Sequence, residues 1–162
     1  MKVFNSEQIR NIGVGGHSGS GKTSLVETML FAMGETTRIG ATEQGNTISD
    51  YNEDEIERQV SINTSILHGE WKQTKLNMID TPGFSDFYGD VVSGMRAADF
   101  MMIVVSAADG VQVGTERVRQ MADRYHLPRF YVINKLDREN VDFDSVYKEL
   151  RDRFGKKLAI AQ

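Results

Sequence analysis

The sequence predicts an α/β fold, a mostly parallel sheet with helices on both faces and one antiparallel edge strand. Two observations carry this reading. Short apolar runs alternate along the chain with apolar residues at helical spacing, the pattern of βαβ units. Three polar clusters, at 15–23, 80–84 and 134–137, each follow directly on an apolar run. In open α/β sheets ligands bind outside the carboxyl ends of the strands. Three clusters on one edge point to one site.

Taken in order, Ile12 and Val14 mark a first strand. Leu25, Val26, Met29, Leu30 and Met33 then recur at helical spacing, and Gly34 stands where that helix should stop. Residues 35–58 are polar and rich in Gly, Thr and Asn, which predicts one long mobile loop, a feature that is usually functional. Ile62–Leu67 and Leu76–Ile79 read as an antiparallel pair turning around Trp71–Thr74. The run "FMMIVV" (100–105) is continuously apolar, as a strand buried on both faces should be. Val118, Met121, Ala122 and Tyr125 give the next helix, and "FYVI" (130–133) another buried strand. Phe143, Val146, Tyr147, Leu150 and Phe154 form a last amphipathic helix closed near Gly155, and "KLAIA" (157–161) reads as a strand just starting.

Composition narrows the function classes. The chain has 162 residues, one domain's worth, with 40 % hydrophobic and 26 % charged residues. A formal charge of −4 gives no support for a polyanion-binding surface over the whole domain, and no direct sequence-specific DNA binding is expected. Cysteine is absent, which excludes disulfides and thiolate metal sites. The start "MKVFNSEQIRN" lacks the apolar stretch of a signal peptide, and the longest apolar run is too short to cross a bilayer. A soluble, cytoplasmic protein with no membrane partner is expected.

The first cluster, Gly16-His17-Ser18-Gly19-Ser20-Gly21-Lys22-Thr23, matches the phosphate-binding pattern G-x-x-x-x-G-K-[ST]. Its glycines let successive backbone N–H groups turn inward around an anion, and the following helix adds its positive end. Lys22 would reach the β- and γ-phosphates, Thr23 would ligate Mg²⁺, and Ser24 lies beside them in the first helical turn. A Gly/Ser loop that merely joins strand to helix is the plainer alternative. A strand before and a helix after favour the phosphate reading.

Asp80 lies at the mouth of a neighbouring strand, where an acidic residue can hold Mg²⁺ directly or through water, and the Gly83 N–H could report a γ-phosphate. Alone, Asp-Thr-Pro-Gly would be a tight turn; beside a phosphate loop the functional reading wins. The third cluster, Asn134-Lys135-Leu136-Asp137, suits base selection. A carboxylate at Asp137 accepts two hydrogen bonds from N1–H and the N2 amine of guanine, and adenine offers no donor at either place. Asn134 can bond the other edge of the base, and the Lys135 stem can lie across its face. Adenosine triphosphate is disfavoured.

These three clusters, in this order and spacing, resemble a translational GTPase of the elongation factor G type, most of all its divergent paralogues. The likeness covers essentially the whole chain. Residues 38–62 resemble the family's first switch loop, 86–118 its central segment, and "NKLDRENVDF" (134–143) the segment that follows. The resemblance implies a P-loop GTPase fold, GTP/GDP and Mg²⁺ as ligands, the ribosome as partner of the full-length protein, and a monomer. It also implies catalytic roles for Lys22, Gly83 and position 84, and a metal set of Thr23, Ser61 and Asp80. Because the family's fifth guanine-contacting loop is missing and "KLAIAQ" resembles the entry to an inserted subdomain, residues 1–162 are expected to be a truncated GTP-binding domain. It would lack the last strand and the final helix, leaving a strand exposed.

The departures matter as much as the matches. Gly19 stands where the family usually has Asp, and Ser18 where it has an aliphatic residue. The family's Gly-Ile-Thr of the first switch becomes Gln59-Val60-Ser61, in which Ser61 retains a hydroxyl able to close on Mg²⁺. The family's Asp-Thr-Pro-Gly is followed by a His that orients the attacking water; here it is Phe84. A phenyl ring neither donates nor accepts the hydrogen bonds that position a nucleophile. The plainer reading of Phe84 is an anchor that buries the second switch with Phe87 and Tyr88. His17, inside the phosphate loop, reads as scaffold; His68 falls in the hairpin and His126 at a helix end, and neither is placed to substitute for the missing His. Three readings remain open: a GTPase, a GTP-dependent binding switch with negligible hydrolysis, and a ribosome-protection or release-factor-type GTPase.

Overall fold

A computed structural model describes residues 2–156 and 158–161. Five strands form one sheet: β1 (Ile9–Gly16), β2 (Ser65–Trp71), β3 (Thr74–Asp80), β4 (Phe100–Ser106) and β5 (Arg129–Asn134). Their spatial order is β2-β3-β1-β4-β5, with β2 and β3 antiparallel and every other neighbour parallel. The expected α/β class therefore stands. β1 is central and its neighbours lie on opposite sides, so the crevice at its carboxyl end is the topological switch point where such sheets bind ligands.

Side-chain alternation explains why β4 is apolar throughout. Met102 and Val104 pack with Ile12, Val14 and Met78 against Val26 and Leu30 of helix α1 (Lys22–Met33) on one face. Met101 and Ile103 pack on the other face against α3 (Tyr88–Ala97) and α4 (Val113–Arg124), through Val91, Met95, Val118 and Ala122. Val105 meets Val146 and Leu150 of α5 (Phe143–Phe154). A strand buried on both faces has no polar side to show. Gly34 ends α1 as expected, in the left-handed region at φ 79°, with its N–H donating to Leu30 and Phe31 carbonyls. Lys72 and Gln73, at φ 45° and 66°, make the two-residue turn that joins β2 to β3.

Three expectations need correction, and one helix was not expected. The loop 35–58 is not irregular throughout: it holds a short helical turn at Thr42–Gln44 and a helix, α2 (Glu53–Arg58). Glu55 turns back to accept hydrogen bonds from Asn52 N–H (3.4 Å) and Asn52 Nδ2 (2.9 Å), which starts α2. The hairpin strand begins at Ser65 rather than Ile62, because the Ile62 and Asn63 N–H groups donate to Glu55 Oε1 (both 2.9 Å) instead of to a strand. Helix α3 has no sequence expectation behind it. Gly89, Ser93 and Gly94 weaken its propensity, yet a Cβ at Gly94 would stand 2.9 Å from Thr81 Cγ2, so close packing on the sheet requires glycine. Finally, residues 158–161 form no strand; Leu158 packs under α5 and its carbonyl accepts from Tyr147 Oη (2.9 Å). Lys157 lies outside the described residues. Among the described residues no helix is long and apolar enough to cross a membrane.

The segment between α1 and β2 is tied down by a buried carboxylate. Glu27, on the inner side of α1, is 1 % exposed and accepts from Gly40 N–H (3.2 Å) and Ile48 N–H (2.6 Å). Leaving two backbone donors without a partner costs about 1–3 kcal/mol each. Glu27→Ala should therefore speed amide hydrogen exchange at Gly40 and Ile48 by roughly 10-fold or more, with the β1 and β4 amides unchanged. Equal exchange in both proteins would mean that Glu27 does not hold this segment.

Candidate functional site

The phosphate loop leaves β1 at Gly16 and enters α1 at Lys22. Its curl is made by Gly19 (φ 75°) and Gly21 (φ 90°), with the Ser20 N–H donating back to the His17 carbonyl (3.2 Å). Close neighbours also forbid a side chain here. A Cβ on Gly21 would lie 2.4 Å from Asn134 Nδ2, and one on Gly16 would lie 2.4 Å from the Val104 carbonyl oxygen.

The other two clusters close on this loop. Asn134, the last residue of β5, donates from Nδ2 to the Ser20 carbonyl (3.0 Å), and Lys135 Nζ donates to the Gly19 carbonyl. Asn134 thus spends its amide donor on the phosphate loop, which leaves Oδ1 for a ligand. Asp137 stands exposed on the turn that follows. From the end of β3, Asp80 Oδ2 accepts from Thr23 Oγ1 (2.9 Å), and Thr23 Oγ1 also lies 3.1 Å from Ser61 Oγ. Thr23, Ser61 and Asp80, from three separate segments, meet at one point. Gly83 packs directly on the loop: a Cβ there would stand 2.5 Å from Lys22 Nζ and 2.7 Å from Ser18 N.

Two cavities flank this assembly. The smaller, about 90 Å³, is lined by Ser18, Lys22, Thr23, Gln59, Ser61 and Gly83 among others; it carries the phosphate cradle. The larger, about 230 Å³, lies between α3, α4 and His17 and holds Tyr88 and Arg117. Gly83 and Phe84 line both. Phe84 is 44 % exposed, so it is not the buried anchor expected of it; Phe87 and Tyr88 are half-buried. Its extended backbone (φ −84°, ψ 145°) holds it ahead of the helical turn Ser85–Phe87 rather than within it. Asn134, Lys135 and Asp137 line neither cavity. His17 lines the larger one, its backbone and ring within 2.8 Å of a Cβ built on Gly114. His68 lies in β2 and His126 just beyond α4.

Charge is concentrated under the cradle. Lys22, 6 % exposed, donates to the His17 carbonyl (3.1 Å). Burial lowers its ammonium pKa, while Asp80 and Asp50 raise it. Burial pushes the Asp80 carboxyl from its ordinary 3.8 to about 7, against the pull of Lys22 and the Thr23 hydroxyl. Asp50 is also raised, first by burial, although a Ser61 hydrogen bond and Lys22 oppose this. One Asp80 oxygen (Oδ1) and one Asp50 oxygen (Oδ2) are buried with no hydrogen-bond partner. Unpartnered carboxylate oxygens beside two hydroxyls suit a hard divalent cation. Among the described residues no three His, Cys, Asp or Glu side chains form a metal cage. Thr23, Ser61 and Asp80 fit such a divalent cation.

Asp50, Glu27 and Glu55 escaped sequence reasoning. Asn52-x-x-Glu55 carried a detectable capping signal. A lone Asp50 or Glu27 carried none, since only the fold brings them under the loop.

The Asp80 shift has a testable consequence. The folded chain keeps this carboxyl protonated up to about pH 7, whereas the unfolded chain ionises it near 3.8. The folded state therefore binds the extra proton between those values, and stability falls as pH rises through that window. Without metal or nucleotide, the melting temperature of the wild type should decline from pH 5 to 7, and Asp80→Asn should flatten that decline. Parallel pH profiles would place the proton elsewhere.

Comparison with known proteins follows this geometry. The model of the elongation factor Tu GTP binding domain matches residues 7–162. The chain is 40 % identical over 153 residues to elongation factor G of Granulibacter bethesdensis, covering 94 % of this chain and 22 % of that protein. It is 37 % identical over 146 residues to elongation factor G 2 of Borreliella burgdorferi (90 % and 22 %) and 38 % over 148 residues to the mitochondrial ribosome-releasing factor 2 of Drosophila yakuba (91 % and 21 %). The chain thus spans about a fifth of the length of these relatives. A crystal structure from Thermus thermophilus superposes with a TM-score of 0.88 at 36 % identity, covering 91 % of this chain and 22 % of that one. Elongation factor SelB of Methanococcus maripaludis, solved with a GTP analogue, shares the fold alone (TM-score 0.67, 21 % identity, covering 94 % of this chain and 26 % of that one). By its matched length and by the loops that meet at the end of β1, this chain belongs to the elongation factor Tu GTP-binding domain family.

Proposed function

We propose that the chain binds GTP and GDP with Mg²⁺ and hydrolyses GTP as the nucleotide-handling part of a ribosome-associated translation factor. The observation that carries this reading is the meeting of Thr23, Asp80 and Ser61 beside the buried Lys22, inside a glycine-rich anion cradle. Phosphoryl transfer asks mainly for positioning and for charge stabilisation. Lys22 neutralises the β- and γ-phosphates, the loop amides hold them, and the Gly83 N–H reads the terminal one. Thr23, Ser61 and Asp80 would hold Mg²⁺, which would supply positive charge against the phosphates. Asp137 selects guanine through two charge-assisted hydrogen bonds, with Asn134 Oδ1 and the Lys135 stem completing the base site.

One observation supports a second reading. Phe84 stands between the two cavities and offers no hydrogen bond to water. On that reading the chain senses GTP against GDP with negligible turnover, and its bound state governs ribosome association. The relatives include both elongation factors and a ribosome-releasing factor, so the step served on the ribosome is proposed only as a translational one.

Asp137→Asn exchanges the carboxylate for an amide and should weaken GTP binding by about 100-fold while improving xanthosine triphosphate by a similar factor. Fluorescence titration of both nucleotides reads this directly. Unaltered affinities for the pair would remove Asp137 from the base site. Lys22→Ala should abolish binding of GTP and GDP alike, and wild-type affinity in that variant by calorimetry would count against the whole site.

A further inference from the structure

The proposed hydrolysis needs a group that holds the attacking water, and Phe84 is not one. The cavity that carries the phosphate cradle is the place to look for a substitute. Lys22 is donor-only and held by the His17 carbonyl. Thr23 and Ser61 lie 3.1 Å apart, and Thr23 donates to Asp80, so both hydroxyls belong to the metal corner. Ser18 is pressed against Gly83 through its backbone. His17 lines the larger cavity and not this one. Gln59 remains. It lines the same cavity as Lys22, Ser61 and Gly83, and its side chain makes no hydrogen bond to any described residue.

The backbone at Gln59 is fixed by its place as the C-cap of α2. It sits in the left-handed region (φ 55°, ψ 37°) at the end of α2, where glycine or asparagine is favoured. Its N–H donates to the Ile56 carbonyl (3.3 Å), and the next residue, Val60, donates to the Glu55 carbonyl (3.2 Å). Those bonds hold the strained residue two positions before Ser61, at the edge of the phosphate cavity. A long, exposed glutamine in a conformation suited to glycine contributes nothing to the core. Strain of this kind gathers where a side chain is needed for function.

We propose that Gln59 is the water-positioning residue of this site, its side-chain amide supplying the hydrogen bonds that Phe84 cannot. The inference rests on the hydrolysis reading above. The carboxamide oxygen accepts a hydrogen bond from the water, and the NH₂ group donates toward a γ-phosphate oxygen. The water oxygen attacks the γ-phosphorus, and the bond from that phosphorus to the β–γ bridging oxygen breaks. GDP leaves, and the water proton passes to the phosphate that is released. Gln59 neither gains nor loses a proton.

The test uses the full-length protein with ribosomes and three variants: Gln59→Gly, which removes the amide and suits the left-handed backbone; Gln59→Asn, which tolerates that backbone but shortens the reach; and Gln59→Gly combined with Phe84→His. Single-turnover hydrolysis should fall on the order of 100-fold in both single variants, with GDP affinity within about 2-fold of wild type. Tight binding of GDP with aluminium fluoride, which mimics the phosphoryl group in transfer, should be lost in parallel. The double variant should regain turnover, because a histidine beside Gly83 supplies the missing hydrogen bond; a merely structural role for Gln59 would not be rescued in this way. Wild-type turnover and aluminium fluoride binding in Gln59→Gly would overturn the proposal while leaving the GTPase reading intact. A wild-type protein that binds GTP and never hydrolyses it would overturn both.

Discussion

A buried ammonium held against buried carboxylates is the constraint on which the site depends. Lys22 lies beneath the phosphate loop with Asp80 and Asp50 within electrostatic reach, and Glu27 adds a further negative charge to their surroundings. Burying such charges is unfavourable, and Lys22 offsets it only in part, since Asp80 still holds its proton up to about pH 7. The cluster also remains incomplete. Buried oxygens on Asp80 and Asp50 have no hydrogen-bond partner, and the glycine-rich cradle above them presents N–H groups. A polyanion accompanied by a divalent cation satisfies both lacks at once, which explains why strained glycines and costly buried charges share one corner.

The fold exists to bring distant residues to that corner. β1 in the middle of the sheet delivers the phosphate loop, β3 on one side delivers Asp80 and Gly83, and β5, beyond β4 on the other side, delivers Asn134 and Lys135. Parallel pairing aligns all three carboxyl ends on one edge. The segment after α1 adds Asp50, Gln59 and Ser61, and it is held by two buried glutamates rather than by sheet bonds.

Much of this was legible from residues alone, for identifiable reasons. β4 announced itself because burial on both faces leaves no room for polar residues, and the phosphate loop because its glycines and Lys22 answer a geometric demand. α3 was not legible: its Gly94 serves close approach to Thr81 and Ile79, and that requirement lies in the tertiary packing. α2 was not legible because five charged residues around a lone Ile56 show no apolar period, although Asn52 and Glu55 encode its start. Residues 158–161 read as a strand from composition, yet Leu158 found its apolar partner beneath α5. Aromatic neighbours make Phe84 look like an anchor, but the backbone direction ahead of Ser85 places it against the cavities. Asp50 and Glu27 needed the fold, since their meaning is their company.

The central claim is that three loops make a single site selective for guanine nucleotides. Its most direct measurement is displacement of a fluorescent guanine nucleotide from the wild-type chain in Mg²⁺, by unlabelled GTP, GDP and ATP in turn. GTP and GDP should displace it, and ATP should fail even at about 100-fold higher concentration, because adenine leaves the Asp137 carboxylate unpaired. Displacement by ATP at the same concentration as GTP would show an anion cradle without base selection and would contradict the account.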